Sequence, residues 1–471
     1  MATAKRRTVQ KLSNLTFMIQ QQAICAVATP SGVGAIAVIR VSGLQTFDIV
    51  NRIFRGKNLH EVPTHTVHFG TIRDDHTIID EVLITVFKNP KSFTKEDVVE
   101  IACHGSDYII QKILQLLVRE GAELAQPGEF TQRAFLNGQF DLVQAEAVAD
   151  LIAADSAAAH RTALSQMRGG FSKQLSALRD ELIHFASLVE LELDFGEEDV
   201  QFAERDDLKR LIISLQANIK PLVDSFDLGN ALKDGIPVAI VGAPNVGKST
   251  LLNALLNEER AIVTPIAGTT RDTIEDTLFI DGIKYRIIDT AGIRQTDDLV
   301  ESIGIERSLQ AIAKADLVII INSPLTASAG RPEGETTILD LEISEPKTIR
   351  VMNKIDLLSE TALKQIQNDN QFILISAKTG LGLDELKQAI TQSFSHTALS
   401  HSVVTNARHH QHLTKTYAAL NDVLNGLEIG ITGDFLAQDI RLALFELGQI
   451  TGTIATEDLL KNIFGKFCIG K

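Results

Sequence analysis

The chain has 471 residues, enough for about three domains at roughly 150 residues each, and its 44% hydrophobic and 22% charged content excludes a disordered or fibrous polymer. Its 45 basic and 60 acidic residues leave a net charge of -15, which excludes coating of nucleic acid by bulk electrostatics and leaves only local basic patches for that role. Cys25, Cys103 and Cys468 are far apart with no C-x-x-C pair, so neither a disulfide framework nor a zinc cluster can be drawn, and a reducing compartment is expected.

Residues 1–17 carry Lys5, Arg6, Arg7 and Lys11 without an acid, and read either as an organelle transit peptide or as a translated extension ahead of a start at Met18. Both readings make the segment disordered. The chain has no apolar run of signal-peptide or membrane-spanning kind, so a cytoplasmic location without membrane contact is expected. Two β-rich runs, 24–28 and 36–41, flank the turn Thr29-Pro30-Ser31-Gly32-Val33-Gly34. Gly32, Gly34 and Ala37 match G-x-G-x-x-A, but a dinucleotide site needs a helix after the glycines, and the uncapped β-rich Ala35-Ile36-Ala37-Val38-Ile39 follows instead. Further strands at 64–72, 81–87 and 98–103 and a helix at 108–119 make residues 18–135 an α+β domain.

From Asp141 the period turns helical, with Leu142, Ala145, Ala149 and Ile152 on one stripe and Leu175, Leu178, Leu182 and Phe185 on another. This helical segment, 136–235, loses its pattern near Gly229. Val238-Ala239-Ile240-Val241 then opens an α/β domain, 236–396, and helices return at 407–427, 435–447 and 457–464 within 397–471. Neither helical block makes a good core alone, so the two are expected to pack together as one discontinuous all-α domain with the α/β domain inserted between them. The acidic run 194–199 reads as a charged turn or as a contact for a basic partner. Arg408, His409, His410 and His412 read as metal ligands or, preferably, as a solvated or partner-facing helix surface.

The motif Gly242-Ala243-Pro244-Asn245-Val246-Gly247-Lys248-Ser249, followed by Thr250, is G-x-x-x-x-G-K-[ST] between a strand and a helix. Its glycines let backbone N–H groups curl around phosphates, Lys248 reaches the β- and γ-phosphate oxygens, and the Ser249 hydroxyl ligates Mg2+. Asp289-Thr290-Ala291-Gly292 follows a strand and offers a carboxylate to Mg2+ through water and a Gly292 N–H to the γ-phosphate. In Asn353-Lys354-Ile355-Asp356 the Asp356 carboxylate accepts from the guanine N1–H and N2 amino group, which adenine does not offer. Ser376-Ala377-Lys378 supplies a backbone N–H for guanine O6. Four elements in this order specify a P-loop GTPase domain of Ras-like α/β type.

Ile293 stands where small signalling GTPases carry the water-orienting Gln, so another device must activate water. The loop Thr264-Pro265-Ile266-Ala267-Gly268-Thr269-Thr270 offers Thr270 as second Mg2+ ligand. Its carbonyls, with the Asn245 amide, can hold a monovalent cation where an arginine finger would place its charge. Asn245 can also be simply a turn residue.

The order of these motifs resembles the MnmE (TrmE) family of tRNA modification GTPases from about Ile24 to Lys471. So do the stretches Ala28-Thr29-Pro30 through Gly43, Phe93-Thr94 with Glu96-Asp97, Pro127-Gly128-Glu129-Phe130 through Asn137, Ala261 through Asp272, and the terminal Phe467-Cys468-Ile469-Gly470-Lys471. The resemblance implies an N-terminal domain for dimerisation and for a one-carbon carrier, 5-formyl- or 5,10-methylene-tetrahydrofolate, beside the discontinuous helical domain and an inserted GTPase domain activated by K+. It also implies a homodimer that joins a flavin-dependent partner, MnmG, in a heterotetramer. Together they place a carboxymethylaminomethyl or aminomethyl group on C5 of the wobble uridine of tRNA. By the same resemblance Asn245, Thr264, Ile266 and Thr269 hold K+, Ser249 and Thr270 hold Mg2+, and Glu301 orients the attacking water. Arg40, Glu100 and Lys471 match folate contacts, and Gln139 stands where the family has a basic residue. Cys468 matches a functionally required cysteine, against the alternative of a buried small hydrophobe. A competing class is a ribosome-assembly GTPase, an RNA-binding switch with no use for a folate site or a terminal cysteine.

Overall fold

The computed structural model describes residues 22–194, 205–259, 276–288, 309–324, 347–359, 363, 366, 371–398 and 403–470. In chain order the N-terminal elements are β1 (Ile24–Val27), β2 (Gly34–Ser42), α1 (Thr46–Ile53), β3 (Phe54–Arg55), β4 (Thr66–Asp74), β5 (Thr77–Phe87), β6 (Val98–Gly105), α2 (Asp107–Arg119), β7 (Glu123–Leu124) and α3 (Glu129–Leu136). The helices α4 (Leu142–Ala153), α5 (Ala157–Met167), α6 (Gly170–Asp194), α7 (Arg205–Asp224) and α8 (Phe226–Asp234) follow. Next come β8 (Ile236–Val241), α9 (Lys248–Glu259), β9 (Asp276–Ile280), β10 (Ile283–Ile287), β11 (Leu317–Asn322), β12 (Lys347–Met352), β13 (Ile373–Leu374) and α10 (Leu383–Ala398). The chain ends in α11 (Ala407–Ile429), α12 (Gly433–Thr451) and α13 (Glu457–Phe464).

The chain divides into two units, one of 1–149, 166–179 and 447–471, the other of 150–165 and 180–446. In the first, a sheet in the order β3-β4-β5-β6-β2-β1-β7 is antiparallel except for the β1–β7 pair. Alternation in β5 sends Val82, Ile84 and Val86 inward, where they meet Ile39 and Val41 of β2, Ile101 of β6 and the apolar faces of α1 and α2. β2 begins at Gly34 itself, so no helix follows the glycines and the dinucleotide reading is excluded as expected. A second cluster joins Leu142 and Ala145 of α4 to Leu460, Ile463 and Phe464 of α13. α4 departs from the expected stripe: Leu142, Val143, Ala145 and Ala147 are buried while Ile152 is 52% exposed. An Ala-rich helix gives too little contrast between its faces for periodicity to fix the buried one.

In the second unit the sheet order is β13-β12-β11-β8-β10-β9, parallel except for the β9 edge. β8 and β11 read as unbroken apolar runs because both faces are covered: Ile236, Val238 and Ile240 point into one cluster, Ala239 and Val241 into the other. α7 packs along α11, with Gln216 Nε2 donating to Asn421 Oδ1 at 2.7 Å, so helices from the two sides of the α/β insertion do share a layer.

Two expectations are corrected here. Gly229 does not end a helix but lies inside α8, where an added Cβ would stand 2.2 Å from Val404 O; the glycine admits the 403–406 backbone. The histidines of α11 do not form a solvated face: His409 is 1% exposed, His410 stacks on Phe226 at 4.3 Å, and His412 Nδ1 lies 2.6 Å from Glu446 Oε2. Among the described residues no group of three or more His, Cys, Asp or Glu is placed to hold a metal ion, and no helix is long and apolar enough to cross a membrane. Residues 1–17 and most of the acidic run, 195–199, lie outside the described residues.

Candidate functional site

β8 ends at Val241 and α9 begins at Lys248, so the phosphate-loop motif is the turn between them, and the first amides of α9 open toward that turn. The loop is built tightly. Gly242 faces Ile321 O, where a Cβ would come within 2.4 Å, and Gly247, at φ +103°, faces Asn353 Nδ2 at 2.3 Å. Asn245 holds the left-handed region at φ 60°. The Lys248 ammonium donates to Gly242 O at 2.9 Å and Ala243 O at 3.0 Å, curled over the loop, and burial pushes its pKa down, a shift that an anion in the loop would oppose.

The N-K-x-D segment braces that loop. Asn353, 2% exposed, donates through Nδ2 to Val246 O at 2.9 Å and accepts the Ala377 N–H on Oδ1 at 2.9 Å. Lys354 Nζ donates to Asn245 O at 2.6 Å. Ser376, fully buried, donates through Oγ to Asp356 Oδ1 at 2.7 Å and through its N–H to Leu381 O at 2.8 Å. Three segments far apart in sequence thus form one preorganised surface, with Gly247 and Lys248 at one end and the exposed Asp356 carboxylate at the other. It fits a nucleotide: an amide-lined turn that a Cβ would fill, a cation, and an anchored carboxylate for a base edge. Ser249, Thr250 and Lys378 lie within these segments; Thr264, Pro265, Ile266, Ala267, Gly268, Thr269, Thr270, Asp289, Thr290, Ala291, Gly292 and Glu301 lie outside the described residues.

Of the second set of expected residues, Arg40 and Glu100 meet in the first unit. Arg40 and Glu100 are cross-strand partners on β2 and β6, and the Arg40 Nε and Nη2 both donate to Glu100 Oε1, at 2.9 and 2.8 Å. The Arg40 guanidinium carbon lies 5.5 Å from the centre of the Phe93 ring and 5.7 Å from that of Phe130. Phe93 also meets Phe140, one residue beyond Gln139, at 5.5 Å. Asn137 Nδ2 donates to Thr94 O at 2.7 Å and Lys95 Nζ to Gly138 O at 2.6 Å, tying the Gln139 corner to the Phe93 loop. Sequence reasoning missed Phe93 and Phe130 as partners of Arg40; an arginine amid phenylalanines is visible only once the strands are in register.

The terminal tail joins the same unit. Gly128, at φ +69°, admits Phe464 O, and Gly470, at φ +93°, admits Val27 O, where Cβ atoms would come within 2.4 and 2.1 Å. The Gly128 N–H donates to Cys468 O at 3.4 Å. Cys468 is exposed, so the alternative of a buried hydrophobe is excluded, and it lies against the turn whose Phe130 flanks Arg40. Lys471 lies outside the described residues. Other residues of the motif-like stretches prove structural: Arg133, 3% exposed, donates to Glu129 Oε1 at 2.8 Å and Gln22 O at 2.8 Å, with Glu96 Oε1 at 3.4 Å.

Comparison with known proteins matches residues 23–139 to the family described as "GTP-binding protein TrmE N-terminus" and residues 142–468 to "MnmE helical domain". A protein of Cytophaga hutchinsonii named tRNA modification GTPase MnmE is 53% identical over 462 residues, covering 98% of this chain and 100% of its own. Proteins of the same name from Flavobacterium johnsoniae and Bacteroides fragilis are 52% and 49% identical, each covering 96% of this chain and 100% of their own.

Proposed function

The chain belongs to the MnmE family of tRNA modification GTPases, and from that premise we propose that it uses GTP hydrolysis to drive C5 modification of the wobble uridine of tRNA, as a homodimer working with MnmG. GTP and Mg2+ are the nucleotide and metal of a GTPase of this family. The observation that carries the proposal is the presence in one chain of a braced guanine-nucleotide surface and a separate Arg40–Glu100 platform beside an exposed cysteine.

Bound GTP supplies the phosphoryl group that water attacks. The chain's residues divide the remaining work. Loop amides and Lys248 hold the phosphates, Asp356 selects guanine, and Ser249 and Thr270 ligate Mg2+, with Asp289 supporting it through water. Asn245, Thr264, Ile266 and Thr269 would hold K+, which would supply positive charge to the phosphates, and Glu301 would orient the water. Arg40 and Glu100 of the 18–135 domain, with Gln139 and Lys471 from the helical segments, bind tetrahydrofolate, which supplies the one-carbon unit. A planar guanidinium near two rings, paired with a carboxylate acceptor, suits a flat polar heterocycle. Gln139 brings no charge, and Lys95, bonded to neighbouring Gly138 O, places a cation beside it. The helical segments 136–235 and 397–471 form the domain around the GTPase insertion 236–396, and Cys468 acts at the one-carbon site.

Reconstitution tests the reading. Purified chain, MnmG, tRNA, 5,10-methylene-tetrahydrofolate and a glycine or ammonium donor are expected to yield C5-modified uridine with GTP and none with a non-hydrolysable analogue; product formed equally without GTP hydrolysis would contradict it.

A further inference from the structure

The β9–β10 hairpin lies in sequence between two stretches that the proposed function assigns to the nucleotide, and its turn sits on the helical layer. β9 starts six residues after Thr270, and β10 ends two residues before Asp289. β10 runs parallel to β8, whose C-terminal end delivers the phosphate loop, so both strands meet the nucleotide end of the sheet. Their shared turn, Asp281-Gly282, therefore lies at the opposite end, about 17 Å along five strand residues at roughly 3.3 Å each.

That turn is seated on the corner between α4 and α5. The Ala158 N–H donates to Gly282 O at 3.0 Å, and Gly282, at φ +76°, leaves only 2.9 Å between an added Cβ and Ala157 Cβ. On one flank Lys284 Nζ pairs with Asp155 Oδ2 at 2.5 Å, and beside it Lys233 of α8 pairs with Asp150 Oδ1 of α4 at 2.7 Å. On the other side Asp281 Oδ2 accepts from Thr391 Oγ1 of α10 at 3.0 Å. The ion pairs border a cleft of about 190 Å³ that Thr162 also lines.

β9 and β10 are paired at every position from Asp276↔Ile287 to Ile280↔Ile283, so a displacement imposed at the nucleotide end moves the hairpin as one piece. Its seat is made of few contacts: the Lys284–Asp155 ion pair, one backbone hydrogen bond, and Ala158, which is buried in the same apolar cluster as Ile280 and Ile283 of the hairpin, so a movement of the hairpin is passed to the corner through them.

We infer that this hairpin is the strut that carries the nucleotide state to the α4–α5 corner of the helical layer, with the Gly282–Ala158 bond and the Lys284–Asp155 pair as its coupling. The inference rests on the GTP-site reading and adds to it the route by which hydrolysis reaches the helices.

Hydrogen exchange on the full chain, loaded with GDP or with a non-hydrolysable GTP analogue, tests it, because the Ala158 amide reports the seat directly. Amides of 150–163 are expected to exchange about fivefold or more differently between the two states, the lower end of ordinary coupling between sites. The difference should vanish in Lys284→Met and return in the swap Asp155→Lys with Lys284→Asp, while nucleotide protection of 242–250 stays unchanged. Protection of 242–250 without any state dependence at 150–163 overturns the strut, as does a difference that survives both Lys284→Met and Gly282→Ala. Absence of nucleotide protection at 242–250 overturns the GTP-site reading itself and the strut with it.

Discussion

Asp356 is held by the Ser376 hydroxyl on one carboxylate oxygen at 2.7 Å while remaining exposed, the arrangement of a carboxylate anchored for an incoming base. In the proposed site Asp356→Ala removes two charge-assisted hydrogen bonds to guanine, each worth about 1.5–3 kcal/mol, so GTP affinity should fall by about two to four orders of magnitude in a fluorescent-nucleotide titration. Unchanged affinity would remove Asp356 from base recognition. For the cation site the clean variant is Asn245→Gly, because at φ 60° an alanine adds backbone strain of its own. Hydrolysis should be faster in K+ than in Na+ for the parent chain and equal in the two salts for Asn245→Gly. Thiol chemistry separates the cysteines: burial pushes Cys25 up to about 12 and, with the Asp80 charge adding, Cys103 up to about 11 from an ordinary 9.0, while Cys468 is exposed. One thiol per chain should therefore react in the folded protein at neutral pH, and three after unfolding. The sign of the linked pH effect follows. These raised values favour the folded state fully below pH 9.0, and that contribution is lost as the pH rises from there toward 11 to 12, since the unfolded chain releases its protons first. The phosphate-loop and N-K-x-D spacings of the GTPase segment were legible in the sequence because each motif is local. The bracing role of Asn353 and the phenylalanines around Arg40 were not, since each depends on chain segments tens of residues away.

Strands covered on both faces, such as β8 and β11, could be read from composition alone, since continuous apolar runs have few other uses in an α/β sheet. Helix boundaries were less legible where tertiary contact overrides propensity. Gly229 reads as a stop, yet it lies within α8 because the 403–406 segment passes against it, with the Val404 N–H donating to Ser225 Oγ at 3.1 Å. Gly229→Ala should lower stability by about 1–3 kcal/mol through overpacking and leave GTP affinity unchanged, as thermal unfolding and nucleotide titration would show. An unchanged melting temperature would mean that the segment moves aside freely. The α11 histidines teach the converse lesson: four basic residues within five positions looked like a surface, but their helical spacing turns His409 inward and His412 toward Glu446.

Across the whole chain, the α+β, helical and α/β segments were legible as changes of period, and the packing of helices from both sides of the insertion followed from the poverty of each block as a separate core. Less visible was the division of the C-terminal block: 447–471 belongs with the N-terminal unit, where Gly128 and Gly470 seat the tail at backbone contact distance, while α11 belongs with the other. That division puts Cys468 in the same unit as Arg40 and Glu100 and the phosphate-loop segment in the other; under the proposed function, GTP hydrolysis and one-carbon chemistry would then be tasks of different units. The direct test is mass spectrometry of tRNA nucleosides from cells lacking an MnmE-type gene, complemented with this chain or with its Cys468→Ser form. C5-aminomethyl-type uridines should return with the intact chain and not with the variant. Their absence with a well-expressed intact chain beside the host's MnmG would contradict the tRNA-modifying account.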